Sequence, residues 1–212
     1  MHIHAPYRFP TRLNPLLPGV ITRMPGNTKT LYLTFDDGPD PEITPYVTEI
    51  LRDYHAHATF FLIGDRILRN RKLAEDLAAE GHLLANHTMY HENAWKTPCK
   101  KYLKSIDRTR FLLETIQKNQ TRFFRPPYGK WNPFCLPRIK KQTRMVLWSY
   151  LSLDYDRRID PAVSLKVLEK NLKPGHIVVF HDSRKAFPSL KYLLPKLLEI
   201  FSKRGFDFKA LF

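Results

Sequence analysis

The fold is best read from residues 29–39, Lys-Thr-Leu-Tyr-Leu-Thr-Phe-Asp-Asp-Gly-Pro. Residues 31–35 form a short apolar run that predicts a buried strand. The next four residues, Asp36-Asp37-Gly38-Pro39, have the composition of a tight turn. A turn alone would explain them. The same turn would also direct two carboxylates away from the end of a strand, where they could do chemistry.

Apolar strand patterns alternate with helical patterns over the rest of the chain. The predicted strands are 58–63, 82–86, 122–124, 144–149 and 176–180, with 206–211 as a last strand or an apolar tail. The predicted helices are 44–54 with Thr44 as N-cap, 70–80 ending at Gly81, 98–118, and 189–203 with Pro195 as a kink or restart. This alternation predicts βα units and a mainly parallel sheet. We favour a distorted (β/α) barrel of about seven strands, closed or incomplete, with a doubly wound open sheet as the alternative.

The chain of 212 residues is long enough for one domain with a substantial core. We assign residues 29–212 to this domain and residues 1–28, with five prolines, to an extended N-terminal arm on its surface. There is no apolar run of about 18 residues and no apolar signal segment at the start, so no membrane span is expected. As written, the chain is predicted to stay in the cytoplasm, with a lost leader segment as the alternative. Cys99 and Cys135 lie far apart in sequence and are predicted to be free thiols.

The chain is strongly basic, with 35 Lys and Arg residues against 20 acidic ones and a formal net charge of +15. Such a charge would favour nucleic acid, anionic lipid or an anionic glycan as a partner. The basic residues occur in short scattered clusters, which favours solvated faces over a nucleic-acid stripe, so no specific nucleic acid is expected. No GxGxxG or GxxxxGK[ST] motif follows a predicted strand, which argues against a nucleotide-binding fold. The sequence does not predict an oligomeric state.

Polar residues of catalytic type follow five of the predicted strands. The C-terminal ends of parallel strands in an α/β barrel meet on one face, so these side chains are expected to converge. In chain order they are Asp36 with Asp37, His87 with His91, Arg125, Asp154 and His181.

His87 and His91 are four residues apart and would share one face of a helical turn, as two ligands of one metal ion do. Two ordinary polar histidines are the simpler explanation of that spacing, but the acidic pair on another strand end favours a metal site. Asp37 would be a third ligand, leaving positions for water and substrate, while Asp36 takes a proton from the water. His181 suits a general acid, because the pKa of histidine lies near neutrality.

Arg125 would pair with a carboxylate of the site and keep it ionised. It is followed by Pro126 and Pro127, which have no N–H group, so the backbone N–H of Tyr128 is the expected donor to an oxyanion.

Together these motifs resemble the polysaccharide deacetylase family, also called the NodB-homology domain or carbohydrate esterase family 4. The resemblance covers residues 29–211. It rests on five motifs: 34–39 (Thr-Phe-Asp-Asp-Gly-Pro), 87–91 (His-Thr-Met-Tyr-His), 125–129 (Arg-Pro-Pro-Tyr-Gly), Asp154-Tyr155, and Val179-Phe180-His181. The first three are specific, and the last two are looser. Leu151, Tyr155 and Val179 depart from the family pattern, in which an acid, a tryptophan and a leucine are usual.

The resemblance implies a distorted barrel and a divalent metal, usually zinc, with cobalt, nickel and manganese as alternatives. Asp37, His87 and His91 would hold the metal. Asp36 would be the general base, with its charge fixed by Arg125, and His181 the general acid, with its ionisation set by Asp154. The substrate would contact Pro126, Tyr128, Trp148, Tyr155 and Val179.

The expected reaction is therefore metal-dependent removal of N-acetyl groups from an N-acetylglucosamine-containing glycan, peptidoglycan-like or chitin-like, with release of acetate. A hydrolase of the same fold that acts on a small non-glycan amide is the first alternative. A non-catalytic domain that binds glycan or nucleic acid through its positive charge is the second. The presence of a base, an acid and metal ligands together speaks against it.

Overall fold

The structure is a computed structural model that describes residues 7–10, 18–117 and 122–212. The strands are β1 (Thr30–Asp36), β2 (Thr59–Leu62), β3 (Leu83–Asn86), β4 (Phe123–Phe124), β5 (Arg144–Met145), β6 (Tyr150–Leu151), β7 (Ile177–His181) and β8 (Asp207–Phe208). The helices are α1 (Ile43–Asp53), α2 (Gly64–Arg69), α3 (Arg71–Ala79), α4 (Cys99–Glu114), α5 (Leu136–Gln142), α6 (Pro161–Asn171) and α7 (Phe187–Lys203). None of these helices is both long enough and apolar enough to cross a membrane.

The strands form one parallel sheet in the order β5-β4-β3-β2-β1-β7-β6, with β8 paired to the start of β1. This is the winding order of a (β/α) barrel that is open between β5 and β6. The prediction of a distorted, incomplete barrel in a single domain is therefore confirmed.

The gap between β5 and β6 is bordered by the described parts of the N-terminal segment. Ile21 forms a parallel bridge with Val146, and Arg8 forms an antiparallel bridge with Tyr150. The backbone N–H of Phe9 donates to Ser149 O at 3.1 Å. The arm predicted over residues 1–28 falls partly on residues 1–6 and 11–17, which lie outside the described residues. Its described parts pair with the backbone at the open side of the barrel.

Side chains of β1 alternate between two environments, as the period of a strand requires. Leu31, Leu33 and Phe35 pack outward into the core under the helices, where Phe35 stacks on Phe60 and Phe180 at centroid distances of 5.0 and 5.7 Å. Tyr32 lies in a second apolar cluster in the barrel interior. Thr34 and Asp36 share this inner face of β1 and therefore point toward the middle of the barrel.

The start of α1 differs from the prediction that Thr44 is its N-cap. The helix begins at Ile43, and Asp40 Oδ1 accepts hydrogen bonds from the backbone N–H groups of Glu42 and Ile43 at 3.0 and 3.2 Å. The Thr44 hydroxyl is used elsewhere, since it accepts from Asp40 N and donates to Asp182 Oδ2. The prediction was wrong because a nearby aspartate satisfies the first N–H groups and a distant one takes the hydroxyl.

Two other predicted elements also differ. The strand predicted over 144–149 is only two residues long, because the following backbone pairs with residue 21: Leu147 N donates to Ile21 O at 2.8 Å. Pro195 lies inside the continuous helix α7. Helices α2, α5 and α6 were not predicted from the sequence.

Cys99 and Cys135 form a disulfide bond, so the prediction of two free thiols is wrong. They lie 36 residues apart in sequence, but the fold brings the first residue of α4 next to the residue before α5, with a Cα–Cα distance of 5.7 Å. The bond joins the segment after β3 to the segment after β4.

Reduction of this disulfide is expected to lower the free energy of unfolding by about 4 kcal/mol, because it releases a closed loop of 36 residues in the unfolded chain. Denaturant unfolding of the oxidised and the reduced protein measures the difference. The double variant Cys99→Ala/Cys135→Ala is the control, and its stability should not respond to reductant. Equal stability of the oxidised and reduced wild-type protein would contradict the expectation.

Candidate active site

A cleft of about 910 Å³ opens at the C-terminal ends of the strands. It is lined by ten of the twelve residues singled out from the sequence: Asp36, Asp37, His87, His91, Pro126, Tyr128, Trp148, Tyr155, Val179 and His181. The other two, Arg125 and Asp154, are buried directly behind the lining and contact it. The structure thus confirms the prediction that side chains at the ends of separate strands meet in one cleft.

The turn after β1 aims its two carboxylates in different directions. Asp36 ends the strand on the inner face, and Asp37 has a φ of 81°, in the left-handed region, which turns its side chain toward the cleft. The next residue, Gly38, donates its N–H to Asp182 Oδ1 at 3.0 Å. A Cβ atom on Gly38 would lie 2.1 Å from Asp182 Oδ2, so only glycine fits between the turn and this carboxyl group.

Three side chains form a cluster with the donor atoms of a metal site. Asp37 Oδ1 lies 3.2 Å from His91 Nε2 and 3.7 Å from His87 Nε2, and the three ligand atoms lie within 4.8 Å of one another. Two imidazole nitrogens and one carboxylate oxygen are a donor set of catalytic zinc sites, so the residues fit such an ion. The two histidines lie in the loop after β3, not on the helical turn that their spacing suggested, and His91 has a φ of 56°.

The protonation states of this cluster also suit a metal. Burial lowers the pKa of His87 to about 4, and its Nδ1 lies 2.8 Å from Arg125 O, so the neutral ring donates there and leaves the Nε2 lone pair toward Asp37. Burial acts to raise the pKa of Asp37. The hydrogen bond from His91 and the charge of His181 outweigh burial and hold that pKa well below its usual range.

Arg125 is buried beneath the cleft and fixes Asp36. Its Nη1 donates to Asp36 Oδ1 at 2.6 Å and to Thr34 Oγ1 at 2.8 Å, and its Nη2 donates to Leu147 O at 2.9 Å. The guanidinium carbon lies 4.0 Å from the centre of the Phe61 ring. A buried cation with this many partners holds the Asp36 carboxylate in one orientation at the lining of the cleft.

His181 and Asp154 form a second polar pair on the opposite side of the cleft. Asp154 Oδ1 lies 2.8 Å from His181 Nδ1, and Asp154 Oδ2 accepts from the His181 backbone N–H at 2.8 Å. Burial acts to lower the pKa of His181, but the charge and the hydrogen bond of Asp154 outweigh it and raise that pKa to about 9. The ring is therefore protonated at neutral pH, and its second N–H faces the cleft.

The walls of the cleft are aromatic and apolar. The Tyr128 ring lies 4.6 Å from the His91 ring, with its hydroxyl 3.2 Å from His91 Nδ1, and Tyr155 lies 4.9 Å from the His181 ring. Leu151 and Val179 pack in one apolar cluster beside Trp148 and Tyr155. Pro126 lies between Arg125 and the Tyr128 turn, at the edge of the same cavity.

Two residues contribute to this site that were not predicted from the sequence. Asp182 is fully buried next to His181 and anchors the turn through Gly38 and Thr44, and burial raises its pKa to about 8. In the sequence, only the position of Asp182 directly after His181 indicated that it could belong to the site. Phe9, from the N-terminal segment, lines the cleft and packs edge-to-face on Trp148 at 6.1 Å, and no sequence pattern indicated this contact.

Comparison with known proteins points to one family. The family model for polysaccharide deacetylase matches residues 23–145. The chain is 37% identical over 195 residues to a peptidoglycan-N-acetylglucosamine deacetylase of Bacillus cereus, covering 90% of both chains. It is 32% identical to a chitooligosaccharide deacetylase of Azorhizobium caulinodans, covering 91% of this chain and 98% of that one. Among solved structures, the Bc1960 peptidoglycan N-acetylglucosamine deacetylase superposes with a TM-score of 0.85 at 28% identity, covering 91% of each chain.

Proposed function

Because the chain belongs to the polysaccharide deacetylase family, we propose that it removes N-acetyl groups from an N-acetylglucosamine-containing glycan, peptidoglycan-like or chitin-like, and releases acetate. The observation that carries the proposal is the meeting of three groups in one cleft. These are the donor cluster Asp37–His87–His91, the pair Asp36–Arg125 and the pair His181–Asp154.

Asp37, His87 and His91 would hold a divalent ion, zinc as the first choice and cobalt, nickel or manganese as alternatives. When bound, the ion polarises the acetamide carbonyl and lowers the pKa of water. Asp36 accepts the proton of the attacking water, because Arg125 holds its carboxylate in a fixed orientation at the cleft. When the water attacks, the carbonyl oxygen of the acetamide becomes negatively charged, and the backbone N–H of Tyr128 stabilises that charge.

His181 then donates a proton to the departing amine of the sugar. Its high pKa keeps the ring protonated at neutral pH, and Asp154 fixes the ring so that its free N–H points into the cleft. The methyl group of the acetamide fits the apolar wall of Trp148, Leu151 and Val179. Tyr155, packed on His181, borders the same pocket.

The alternative, hydrolysis of a small non-glycan amide, shares this chemistry and differs only in the substrate. The relatives are named for activity on peptidoglycan and on chitooligosaccharides, which supports a glycan over a small amide as the substrate.

The deciding experiment measures acetate release from N-acetylglucosamine oligomers and from peptidoglycan fragments, with added zinc and with a chelator. Release that stops with the chelator and returns with zinc would support the proposal. No release from any glycan by protein with one bound metal per chain would point to the small-molecule amide.

The variant Asp154→Asn is expected to shift the alkaline limb of the pH–rate profile to lower pH. The acid form of His181 is the active one, so activity falls as pH rises through its pKa, which Asp154 raises to about 9. Without the carboxylate charge that pKa falls, and activity is lost at a lower pH. Profiles of kcat/KM against pH for wild type and variant measure the shift. An unchanged alkaline limb would remove His181 as the group that titrates there.

A further inference from the structure

The positive charge of the chain is concentrated in one part of the sequence. Residues 93–153 contain 14 of the 35 Lys and Arg residues but only two of the 20 acidic residues. The formal charge of this stretch is therefore +12, out of +15 for the whole chain. Residues 93–106 and 115–153 have no acidic residue at all. The proposed chemistry uses only Arg125 among these cations, so it does not account for the charge.

The fold brings the two halves of this basic stretch together. Helices α4 and α5 follow β3 and β4, which are neighbours in the sheet, and the disulfide between Cys99 and Cys135 joins the starts of the two helices. In the loops before the helices, Trp95 Nε1 donates to Trp131 O at 3.0 Å. Lys130 Nζ lies 4.6 Å from the centre of the Trp95 ring. Clusters of charge that are separate in the sequence therefore lie side by side in space.

The exposed cations of this region keep their charge unpaired. The basic surface is defined here by six of them: Lys96, Lys100, Lys104, Arg108, Arg138 and Lys141. None of the six forms an ion pair with a carboxylate within the part of the chain that the structure describes, whereas Arg71 and Lys72 on α3 each pair with an acid one turn away. The two acidic residues of the stretch, Asp107 and Glu114, both pair with Arg110. The positive potential of the basic surface is therefore not cancelled by its neighbours.

Bulky aromatic side chains project from the same region. Phe134, next to the disulfide, is 90% exposed, Trp95 is 67% exposed and Phe111 is 66% exposed. Phe111 lines a shallow groove together with Lys104 and Arg108. Exposed aromatic and cationic side chains in one place are typical of surfaces that lie at the interface of an anionic bilayer. The lipid headgroups meet the cations and the acyl chains bury the rings, so one partner accounts for both kinds of side chain.

The basic surface lies beside the mouth of the cleft. The loop after β3 carries both His91 and Trp95, and the loop after β4 carries both Tyr128 and Phe134. His91 Nδ1 lies 3.2 Å from the Tyr128 hydroxyl, so the two loops form one wall of the cleft. The same loops lead into the starts of α4 and α5. A bilayer in contact with the basic surface would therefore be close to the cleft.

We propose that the basic surface binds the face of an anionic lipid bilayer, with its cations at the headgroups and the neighbouring aromatic side chains inserted among them. The attachment is peripheral, since none of the described helices can cross a membrane. The inference is independent of the reaction in the cleft, and it supplies a partner for a charge that the catalytic residues do not use.

The test is co-sedimentation of the full chain with lipid vesicles. One set contains only phosphatidylcholine, and the other contains about one third phosphatidylglycerol, an anionic lipid. We expect the protein to sediment with the anionic vesicles and to stay in solution with the neutral ones. Binding should weaken as salt is raised, because salt screens the attraction between charges. Absence of binding to the anionic vesicles at low salt would overturn the inference.

The double variant Lys100→Gln/Lys104→Gln tests the location of the surface. It should bind anionic vesicles roughly 30-fold more weakly, since each cation near an anionic surface contributes about fivefold. The matched control is Lys166→Gln/Lys170→Gln, which removes the same charge with the same spacing from exposed positions of α6. Thermal unfolding should be the same for both variants and the wild type, which separates loss of binding from loss of the fold. Equal weakening by the two variants would assign binding to net charge and would overturn the assignment to this surface.

Phe134→Ser distinguishes a bilayer from a soluble polyanion. Loss of the ring should weaken binding to anionic vesicles roughly tenfold, as loss of a buried apolar side chain does. Val163→Ser removes an exposed apolar side chain from α6 and should leave binding unchanged. Unchanged vesicle binding by Phe134→Ser would contradict insertion into the bilayer. Release of the protein from vesicles by a single-stranded DNA oligomer of equal negative charge would point to a polyanion as the partner and would also overturn the proposal.

Discussion

Replacing Asp36 with asparagine is expected to lower the rate of acetate release by roughly 10²–10⁴-fold and to leave the bound metal in place, as loss of a general base does. The amide cannot take a proton from water. It is close in shape to the carboxylate and still accepts a hydrogen bond from Arg125, which lies 2.6 Å from Asp36 Oδ1. The measurements are kcat on a glycan that the wild type deacetylates and the zinc content of each protein.

Asp40→Asn is a suitable control for this variant, because Asp40 also lies at the cleft but caps α1 with its Oδ1 atom, a role that asparagine can keep. Its rate is expected to stay near that of the wild type. Loss of zinc from Asp36→Asn would mean that Asp36, and not Asp37 alone, is a ligand. A rate close to the wild-type rate would mean that another group takes the proton.

His91→Ala is expected to weaken zinc binding by roughly 100-fold or more, because only two protein donors remain where three are needed. The His91 Nε2 atom lies 3.2 Å from Asp37 Oδ1, and in the described part of the chain only His87 and Asp37 join it in that cluster. Competition with a chromogenic chelator measures the affinity, and acetate release should fall in parallel at limiting zinc.

The control for this variant is His57→Ala, which removes an exposed imidazole outside the cleft. His55 and His57 are two residues apart, a spacing that two metal-binding histidines can have. The control therefore also tests whether His57 binds the metal. Its zinc affinity should match the wild type. Full zinc occupancy of His91→Ala at stoichiometric zinc would take His91 out of the ligand set.

Local sequence patterns were sufficient to predict much of the fold and which residues line the cleft. Apolar runs predicted the strands, and barrel topology predicted that their ends meet, which placed Asp36, His87 and His181 in one mouth. The strands were predicted correctly because the alternation of side chains along a strand depends only on neighbouring residues. Their convergence was predicted correctly because the C-terminal ends of parallel strands all lie on the same face of a barrel. The assignment of a role to each side chain stays a prediction until the variants are measured.

The features that were missed depend on contacts between distant parts of the chain. The disulfide depends on where α4 and α5 begin in space, which a separation of 36 residues does not reveal. The Thr44 hydroxyl is taken by Asp182, 138 residues away. The loop that carries His91 has left-handed backbone at Thr88 and His91, which the four-residue spacing of His87 and His91 does not reveal.

The N-terminal segment bears on where the folding unit begins. The family match starts at Arg23, yet the N–H of Leu151 donates to Tyr7 O, and that of Leu147 donates to Ile21 O. A protein trimmed to the matched boundary would lose these acceptors and the Phe9 ring that packs on Trp148. Its barrel would present an unpaired strand edge to other molecules, and such an edge favours aggregation. The residues before the family boundary thus cover a strand edge of the barrel as well as shaping its cleft.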